Sequence, residues 1–252
     1  MIVAAALGGV PDVGPGDDLA ALLCAAASAS APAMRFRTGD VLVVAHKVVS
    51  KAEGRIVALA GVQPGERALA LAAEHGKDAR LVEVILAESE AIVRSRPGVL
   101  ICRTRHGFVC ANAGVDASNA PAGAVVLLPV DPDASARALR ARLRELTGVA
   151  PAIVITDSFG RAWRVGQCDV AIGIAGLRAL EDWRGRADGG GRRLDATVIA
   201  VADAAAAAAD LARRKDSGEP AVLVRGLERH VCEDDGPGAA ALVRARDEDL
   251  FL

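Results

Sequence analysis

The chain is organised around the stretch Asn112-Ala113-Gly114-Val115-Asp116-Ala117-Ser118-Asn119, which directly follows the apolar segment Phe108-Val109-Cys110-Ala111. Its Asn, Asp and Ser side chains favour a turn because they bond to nearby backbone groups, and Gly114 permits a positive φ angle. Polar turns at the ends of buried strands commonly carry binding groups. An ordinary structural turn is the simpler interpretation when this stretch is taken alone.

A second segment has the same arrangement, an apolar run followed by an acidic residue with polar neighbours. The apolar run Ile153-Val154-Ile155 leads into Thr156-Asp157-Ser158-Phe159-Gly160-Arg161. In both segments a carboxylate with hydroxyl or amide neighbours follows a predicted strand. Asp116, Asp157 and Ser158 offer the hard oxygen ligands that suit Mg²⁺ or Mn²⁺. Taken singly, Asp116 is equally well explained as a turn cap and Asp157 as a helix N-cap.

Cationic residues follow another apolar run. Residues 41–44 are predicted to be a buried strand, and His46-Lys47-Val48-Val49-Ser50-Lys51-Ala52-Glu53-Gly54-Arg55 comes soon after it. Lys47, Lys51 and Arg55 would surround a polyphosphate with positive charge, or they form a solvated edge. Together with the two acids they indicate phosphoryl-transfer chemistry, in which metal ions neutralise charge and protein groups position the reactants.

Composition excludes several classes of protein. The net charge of −2 argues against a general nucleic-acid binder, and an aromatic content of 2% offers no platform for stacking bases. No run reaches the roughly 18 apolar residues that a membrane helix needs. The N-terminus lacks the basic region of a signal peptide. We therefore expect a soluble cytoplasmic protein with no nucleic-acid or membrane partner.

The alternation of apolar runs and helical patterns predicts an α+β fold, with mixed sheets and flanking helices in a single domain over residues 1–252. Strands are predicted over residues 1–7, 41–44, 99–104, 108–111, 124–130, 152–155, 194–198 and 221–224. Helices are predicted over residues 16–27, 66–75, 79–95, 131–146, 177–184, 199–214 and 239–247. Signatures of P-loop, dinucleotide-binding, serine-hydrolase and zinc sites are missing from the sequence.

Several strings, in the same order along the chain, resemble those of the coenzyme F420-0:L-glutamate ligase family, the γ-glutamyl ligases of deazaflavin cofactor synthesis. The resemblance covers about residues 8–227 and leaves residues 228–252 as a C-terminal tail outside it. The strings are GDDLA (16–20), VVSKAEGR (48–55), NAGVDASN (112–119), LLPVDPDASA (127–136), ITDSFGR (155–161) and PAVLVRGL (220–227).

This resemblance implies a stand-alone, GTP-dependent ligase that adds L-glutamate to coenzyme F420-0 through an acyl phosphate. It also implies two divalent cations, Mg²⁺ or Mn²⁺, in each active site and K⁺ as an activator. The implied fold is an unusual two-lobed α+β arrangement that forms an intertwined homodimer.

The resemblance also implies the residues of the site. Asp116 and Asp157 match ligands of the first metal, and Ser158 matches a ligand of the second. Asp216 is the chosen second-metal acid, although its loop departs from the glycine-richer pattern of the family. No catalytic residue is predicted beyond these metal ligands. The implied nucleotide contacts are Gly8, Gly9, Val10, Pro11, His46, Lys47, Lys51, Asn119, Lys215, Ser217 and Gly218.

Two other functions use the same residues. A metal-dependent phosphohydrolase would employ Asp116 and Asp157 with water as the acceptor. A non-catalytic nucleotide-binding protein would employ them for binding alone. Dependence of GDP release on glutamate separates the ligase from both.

Overall fold

A five-stranded mixed sheet forms the centre of the fold in the computed structural model, which describes residues 1–249. The strands are β1 (Val3–Leu7), β2 (Val41–Ala45), β3 (Ile56–Ala58), β4 (Ser89–Arg96), β5 (Val99–Thr104), β6 (Val109–Ala111), β7 (Ala124–Val126), β8 (Ala152–Arg161), β9 (Arg164–Ala175), β10 (Leu180–Asp182), β11 (Val198–Ala200) and β12 (Ala221–Arg225). The helices are α1 (Leu19–Ala29), α2 (His46–Ala52), α3 (Glu66–His75), α4 (Ala79–Ala87), α5 (Pro132–Thr147) and α6 (Val201–Ala212).

The central sheet has the order β1-β12-β2-β8-β9, in which only the β2–β8 pair is parallel. Helices α1 and α5 cover one face, where Leu23, Leu42 and Leu143 are buried together, and α6 covers the other face. Because successive side chains of a strand point to opposite faces, strands covered on both sides need continuous apolar runs. This burial explains the sequence of β2 and of the first half of β8.

A second group of elements builds its own core. Strands β4, β5 and β6 form an antiparallel sheet, and β3 pairs with β7. Helices α3 and α4 pack on each other, and residues such as Ile85, Leu100 and Val125 are fully buried in this group. The predicted hairpin that leads into Asn112 is therefore confirmed as β5 and β6.

The α+β class and the mixed sheets are confirmed, and more than half of the predicted elements are present within about two residues of their predicted limits. The strand predicted over residues 194–198 is wrong except for Val198, where β11 begins, and the strand predicted over 152–155 continues to Arg161. The helix over residues 79–95 is wrong beyond Ala87. Ser89 ends α4 by donating its hydroxyl to the Ile85 carbonyl, and the following residues pair with β5 as strand β4. A tertiary partner thus overrides the helical spacing of residues such as Ile92. The two-lobed arrangement and the intertwined homodimer stay predictions.

Other differences have similar causes. The helix predicted over residues 177–184 is wrong, because Leu180–Asp182 pairs with Val198–Ala200 as a small antiparallel ladder. The cationic stretch after β2, over which no helix is predicted, forms the helix α2, and the strand predicted over residues 124–130 shortens to β7. The helix predicted over residues 239–247 is reduced to two short 3-10 turns.

The segment from Glu228 onward is tied to the rest of the chain rather than loose. Arg140 on α5 has a side chain only 8% exposed, and its guanidinium donates hydrogen bonds along the backbone of this segment. The acceptors are the carbonyls of Cys232, Glu233 and Asp234 and the Asp235 carboxylate.

The same segment continues to the β4–β5–β6 sheet. Arg246 forms an ion pair with Glu90 of β4, and Asp249 lies 3.7 Å from Arg103 of β5. The segment therefore contacts both groups of elements. Residues 250–252 of the predicted tail lie outside the described residues. No helix within residues 1–249 is long and apolar enough to cross a membrane.

Arg140→Lys tests how firmly this segment is held. Lysine keeps the charge but loses the planar fork that reaches several acceptors at once. We expect the free energy of unfolding, measured by urea denaturation, to fall by about 2–3 kcal/mol, the usual loss for hydrogen bonds to a charged group.

Arg142→Lys is the matched control, because it lies on the same helix with a side chain 46% exposed and exposed acidic partners. Its expected loss is below about 1 kcal/mol. Equal losses in the two variants would show that Arg140 does not anchor the C-terminal segment.

Candidate functional site

Segments that are distant in the sequence converge at one edge of the central sheet. Because β2 and β8 are parallel, their carboxyl ends lie side by side, with Ala45 opposite Thr156. Strand β1 ends and β12 begins at the same edge, since Leu7 pairs with Ala221 and Ala221 pairs with Val44. The edge thereby gathers loop 8–11, the start of α2, Asp157 with Ser158, and loop 213–220.

Asp116 reaches this edge from the second group of elements. Its Oδ2 lies 2.5 Å from Lys47 Nζ at the start of α2. The Ser118 hydroxyl donates to the same oxygen at 2.8 Å, and the Ser118 backbone N–H donates to Oδ1 at 2.7 Å. Burial opposes ionisation of Asp116, but the hydrogen bonds from Lys47 and Ser118 outweigh it and lower its pKa. Asp116 is therefore a carboxylate whose charge is balanced by Lys47.

The turn that carries Asp116 has a demanding backbone. Gly114 has a φ of 74°, and a Cβ at this position would lie 2.6 Å from Leu128 Cγ. Asn112 and Ala113 also have positive φ angles. Paired backbone hydrogen bonds between Asp116 and Val126 then fix the turn against β7. Gly114 is required at this turn for both its φ angle and its small size.

The Asp157 carboxylate has the Ser158 backbone N–H and the His46 ring as neighbours. Its Oδ1 accepts a hydrogen bond from the Ser158 backbone N–H at 2.8 Å and lies 3.3 Å from Nε2 of His46. Nδ1 of His46 in turn lies 3.3 Å from Ser50 Oγ. Asp157 sits within β8, so the interpretation as a helix N-cap is wrong.

Ser158 points to the opposite face of β8, because side chains alternate along a strand. Its hydroxyl donates to Oδ1 of Asp169 at 2.6 Å, and the Thr156 hydroxyl donates to Oδ2 of Asp169 at 2.9 Å. Arg213 forms an ion pair with the same Oδ2. Burial opposes ionisation of Asp169, but the Ser158 hydrogen bond and the Arg213 charge outweigh it and lower its pKa.

Lys215 completes this second cluster. Its Nζ donates to Ser158 Oγ at 2.8 Å and to Asp210 Oδ1 at 2.8 Å, and it lies 3.5 Å from Asp169 Oδ1. Burial opposes protonation of Lys215, but the hydrogen bond to Asp210 and the charge of Asp169 raise its pKa. Lys215 is thus a charged ammonium surrounded by oxygen atoms.

Sequence reasoning missed Asp169 and Arg213. Asp169 is almost fully buried in β9, directly before the apolar residues 170–174. An acid adjoining a buried run is a signal for a paired internal charge, since an unpaired buried carboxylate is costly. Arg213 follows α6 at the start of the loop that also holds Lys215.

The first predicted nucleotide loop follows β1 at the same edge. Gly8 lies close to Glu219 of loop 213–220, which brings these two predicted nucleotide loops together. Val10 packs against the core, while Gly9 and Pro11 are exposed.

Lys51 and Asn119 are two further residues predicted to contact the nucleotide. Nζ of Lys51, in the last turn of α2, lies 3.8 Å from Oδ1 of Asp12, the residue that follows the first predicted nucleotide loop. Asn119 is exposed, with a φ of 58°. It lies at the outer end of the turn that carries Asp116.

Asp216 is placed outside the acid clusters. Its side chain is 84% exposed and forms an ion pair with its neighbour Arg214. Ser217 donates its hydroxyl to the Arg214 carbonyl, and Gly218 has a positive φ of 68°. Residues 214, 216 and 217 of the loop thus contact one another, while Lys215 is turned towards Ser158.

The donor set is chemically suited to a divalent cation, although its members are not collected into one cage. Within residues 1–249, no group of three or more His, Cys, Asp or Glu side chains is assembled as a metal site. Oδ2 of Asp157 accepts no hydrogen bond from the described residues, and Nε2 of the buried His46 has no hydrogen-bond partner of good geometry there. These free groups fit a site where a ligand completes the contacts.

Comparison with known proteins gives consistent results. The family model described as F420-0:Gamma-glutamyl ligase matches residues 9–226. The chain is 49% identical over 241 residues to the Coenzyme F420:L-glutamate ligase of Methanopyrus kandleri, which covers 95% of this chain and 93% of the relative. It is 44% identical over 244 residues to the protein of the same name from Methanothermobacter thermautotrophicus, covering 96% of each chain. The protein of that name from Archaeoglobus fulgidus is 47% identical over 220 residues, 87% of this chain and 85% of the relative.

Asp169→Asn tests the second cluster. The amide leaves the Arg213 charge, which is 9% exposed, without its buried counter-charge. We expect the free energy of unfolding at pH 7 to fall by about 3–5 kcal/mol. Because folding lowers the pKa of Asp169, its contribution is complete above the unfolded value of about 3.9 and is lost as pH falls through the folded pKa.

The difference in stability between wild type and Asp169→Asn should therefore narrow below about pH 4 in urea denaturation. Asp210→Asn is the control, because its partner Lys215 is 66% exposed and the expected loss is about 1 kcal/mol or less. A difference that stays constant down to pH 2 would contradict the ionised state assigned to Asp169.

Proposed function

Because the chain belongs to the F420-0:gamma-glutamyl ligase family, we propose that it joins L-glutamate to coenzyme F420-0 through an amide bond, in coenzyme F420 biosynthesis. The observation that carries this proposal is the similarity to the named ligases over nearly the whole length of both chains. The convergence of Asp116, Asp157 and three lysines at one sheet edge supports it with a site for anionic, phosphate-bearing ligands.

The proposed reaction consumes GTP. A carboxylate is a poor acylating agent, so the terminal carboxylate of the precursor first attacks the γ-phosphorus, and GDP leaves. The α-amine of glutamate then attacks the acyl carbon, phosphate leaves, and the amine loses a proton as the amide forms. Mg²⁺ or Mn²⁺ supplies charge neutralisation for the phosphoryl transfer, with two ions in each site.

Each residue near the edge has a defined part in this proposal. Asp116 and Asp157 would hold the first cation, and Ser158, whose side chain lies on the other face of β8 beside Asp169, would help to hold the second. In the structure Lys47 and Lys215 neutralise the site's own acids, and their ammonium groups would bind the phosphates of the nucleotide. Asp216 needs a rearrangement of loop 213–220 to join the second cation.

The finer features of the family resemblance belong to the same proposal. GTP would contact loop 8–11, the start of α2, Lys51 in the last turn of the same helix, Asn119, and residues Lys215, Ser217 and Gly218. K⁺ acts as an activator. The protein works in the cytoplasm as a homodimer with small-molecule substrates.

The decisive experiment combines the protein with coenzyme F420-0, GTP, Mn²⁺ and L-glutamate. We expect GDP release that depends on both the precursor and glutamate, and a product heavier by glutamyl residues in mass spectrometry. GDP release unaffected by glutamate would identify a phosphohydrolase instead. Nucleotide binding without any GDP release would identify a non-catalytic protein.

Asp157→Asn ties the activity to the site. We expect kcat to fall by more than about 100-fold, because even the outer-shell partners of metal ligands are commonly worth 10- to 100-fold. Asp195→Asn, in an exposed loop with only a long contact to Arg193, is the control and should keep wild-type kcat. Full turnover by Asp157→Asn would remove this carboxylate from the proposed site.

A further inference from the structure

His46, which the family resemblance includes among the nucleotide contacts, is a buried side chain next to Asp157. It is the first residue of α2 and only 2% exposed, so its imidazole is almost completely shielded from solvent. A buried polar side chain costs stability unless its hydrogen bonds are made. Nε2 of His46 nevertheless has no hydrogen-bond partner of good geometry within residues 1–249. An orphaned group beside a site acid calls for an explanation.

The neighbours of the His46 ring bear on which of its two nitrogens carries the proton. Ser50 lies one helical turn further along α2, is fully buried, and places its hydroxyl 3.3 Å from Nδ1. A serine hydroxyl that donates to Nδ1 leaves the ring proton on Nε2. In that tautomer Nε2 carries the ring proton and lies 3.3 Å from Oδ1 of Asp157, at ion-pair distance but without hydrogen-bond geometry. A Ser50 hydroxyl that donates to Nδ1 therefore selects the tautomer with the proton on the nitrogen nearest the acid.

The two oxygens of Asp157 are in different situations. Oδ1 already accepts the Ser158 backbone N–H and has His46 as a second donor nearby, whereas Oδ2 accepts no hydrogen bond from residues 1–249. Donors on one oxygen restrict rotation of the carboxylate and leave the other oxygen for a ligand. Partners of this kind orient the ligands of metal ions and tune their affinity.

We propose that His46 is a positioning residue, which holds Oδ1 of Asp157 through Nε2 so that Oδ2 is presented to the divalent cation, with Ser50 setting the tautomer. This inference rests on the cation site of the proposed function. A hydrogen bond from Nε2 to Oδ1 would need only a small adjustment of the 3.3 Å separation, and it would leave Oδ2 free for the cation. His46 itself does not bind the cation.

The test measures Mn²⁺ affinity by electron paramagnetic resonance of free Mn²⁺, with and without GDP, so that it does not depend on turnover. His46→Leu keeps the bulk of the side chain but removes the donor. We expect its dissociation constant for Mn²⁺ to rise about 10- to 100-fold, the range for outer-shell partners. His46→Gln should recover most of the affinity, because its amide can donate to Asp157.

His75→Leu is the matched control. His75 is also a buried histidine on a helix, and its ring contacts a serine hydroxyl, Ser95, at 2.8 Å. It belongs to α3 in the second group of elements and has no contact with Asp157. We expect this variant to lose stability in urea denaturation while its Mn²⁺ affinity stays at the wild-type value.

Several outcomes would overturn the inference. One is a His46→Leu protein, folded by urea denaturation, that binds Mn²⁺ as tightly as wild type. Another is a ¹⁴N coupling to bound Mn²⁺ in pulsed resonance that disappears in His46→Gln, since it would make His46 a direct ligand. A wild-type protein that binds no Mn²⁺ removes the cation site and the inference with it. A protein that fails to ligate glutamate, but whose Mn²⁺ affinity depends on His46 as described, refutes the proposed reaction and leaves the inference standing.

Discussion

The parallel pairing of β2 with β8 is the constraint on which the site depends. Both strands are fully apolar where they pair, from Val41 opposite Ala152 to Val44 opposite Ile155, and both faces of the sheet are covered. A shift of one residue would turn buried side chains to the wrong face. The register is therefore strongly specified, and it places the first residue of α2 beside Asp157. The proximity of His46 and Asp157 follows from a ladder whose own residues take no part in chemistry.

The site carries its own neutralising charges. Asp116 is paired with Lys47 on one side, while Asp169 is paired with Arg213 and Lys215 on the other face of β8. Such pairs compensate for the desolvation of each acid. In the proposed function, Asp116 would give up its pairing with Lys47 to hold a divalent cation, and Lys47 and Lys215 would bind the phosphates of the nucleotide. The proposed binding of metal and nucleotide would then be linked through these charges.

The C-terminal segment contributes to the same architecture from outside the sheet. Its backbone is fixed by Arg140 on α5, and further along it reaches Glu90 and Arg103 of the second sheet. The ion pair between Lys47 and Asp116 is a second connection between the two groups of elements. Two sets of contacts therefore support the relative placement of the central sheet and the second group of elements. One is the Lys47–Asp116 ion pair, and the other is the C-terminal segment.

The sequence by itself determined the features that depend on local chemistry. Apolar runs predict β2, β8 and β12, an aspartate marks the start of α5, and the polar residues of 112–119 predict a turn, since these patterns need only neighbouring residues. Tertiary structure decided the rest. The end of α4 at Ala87, the burial of Asp169 and the contact of His46 with Asp157 all depend on partners far away in the chain, and no local pattern encodes which partner arrives.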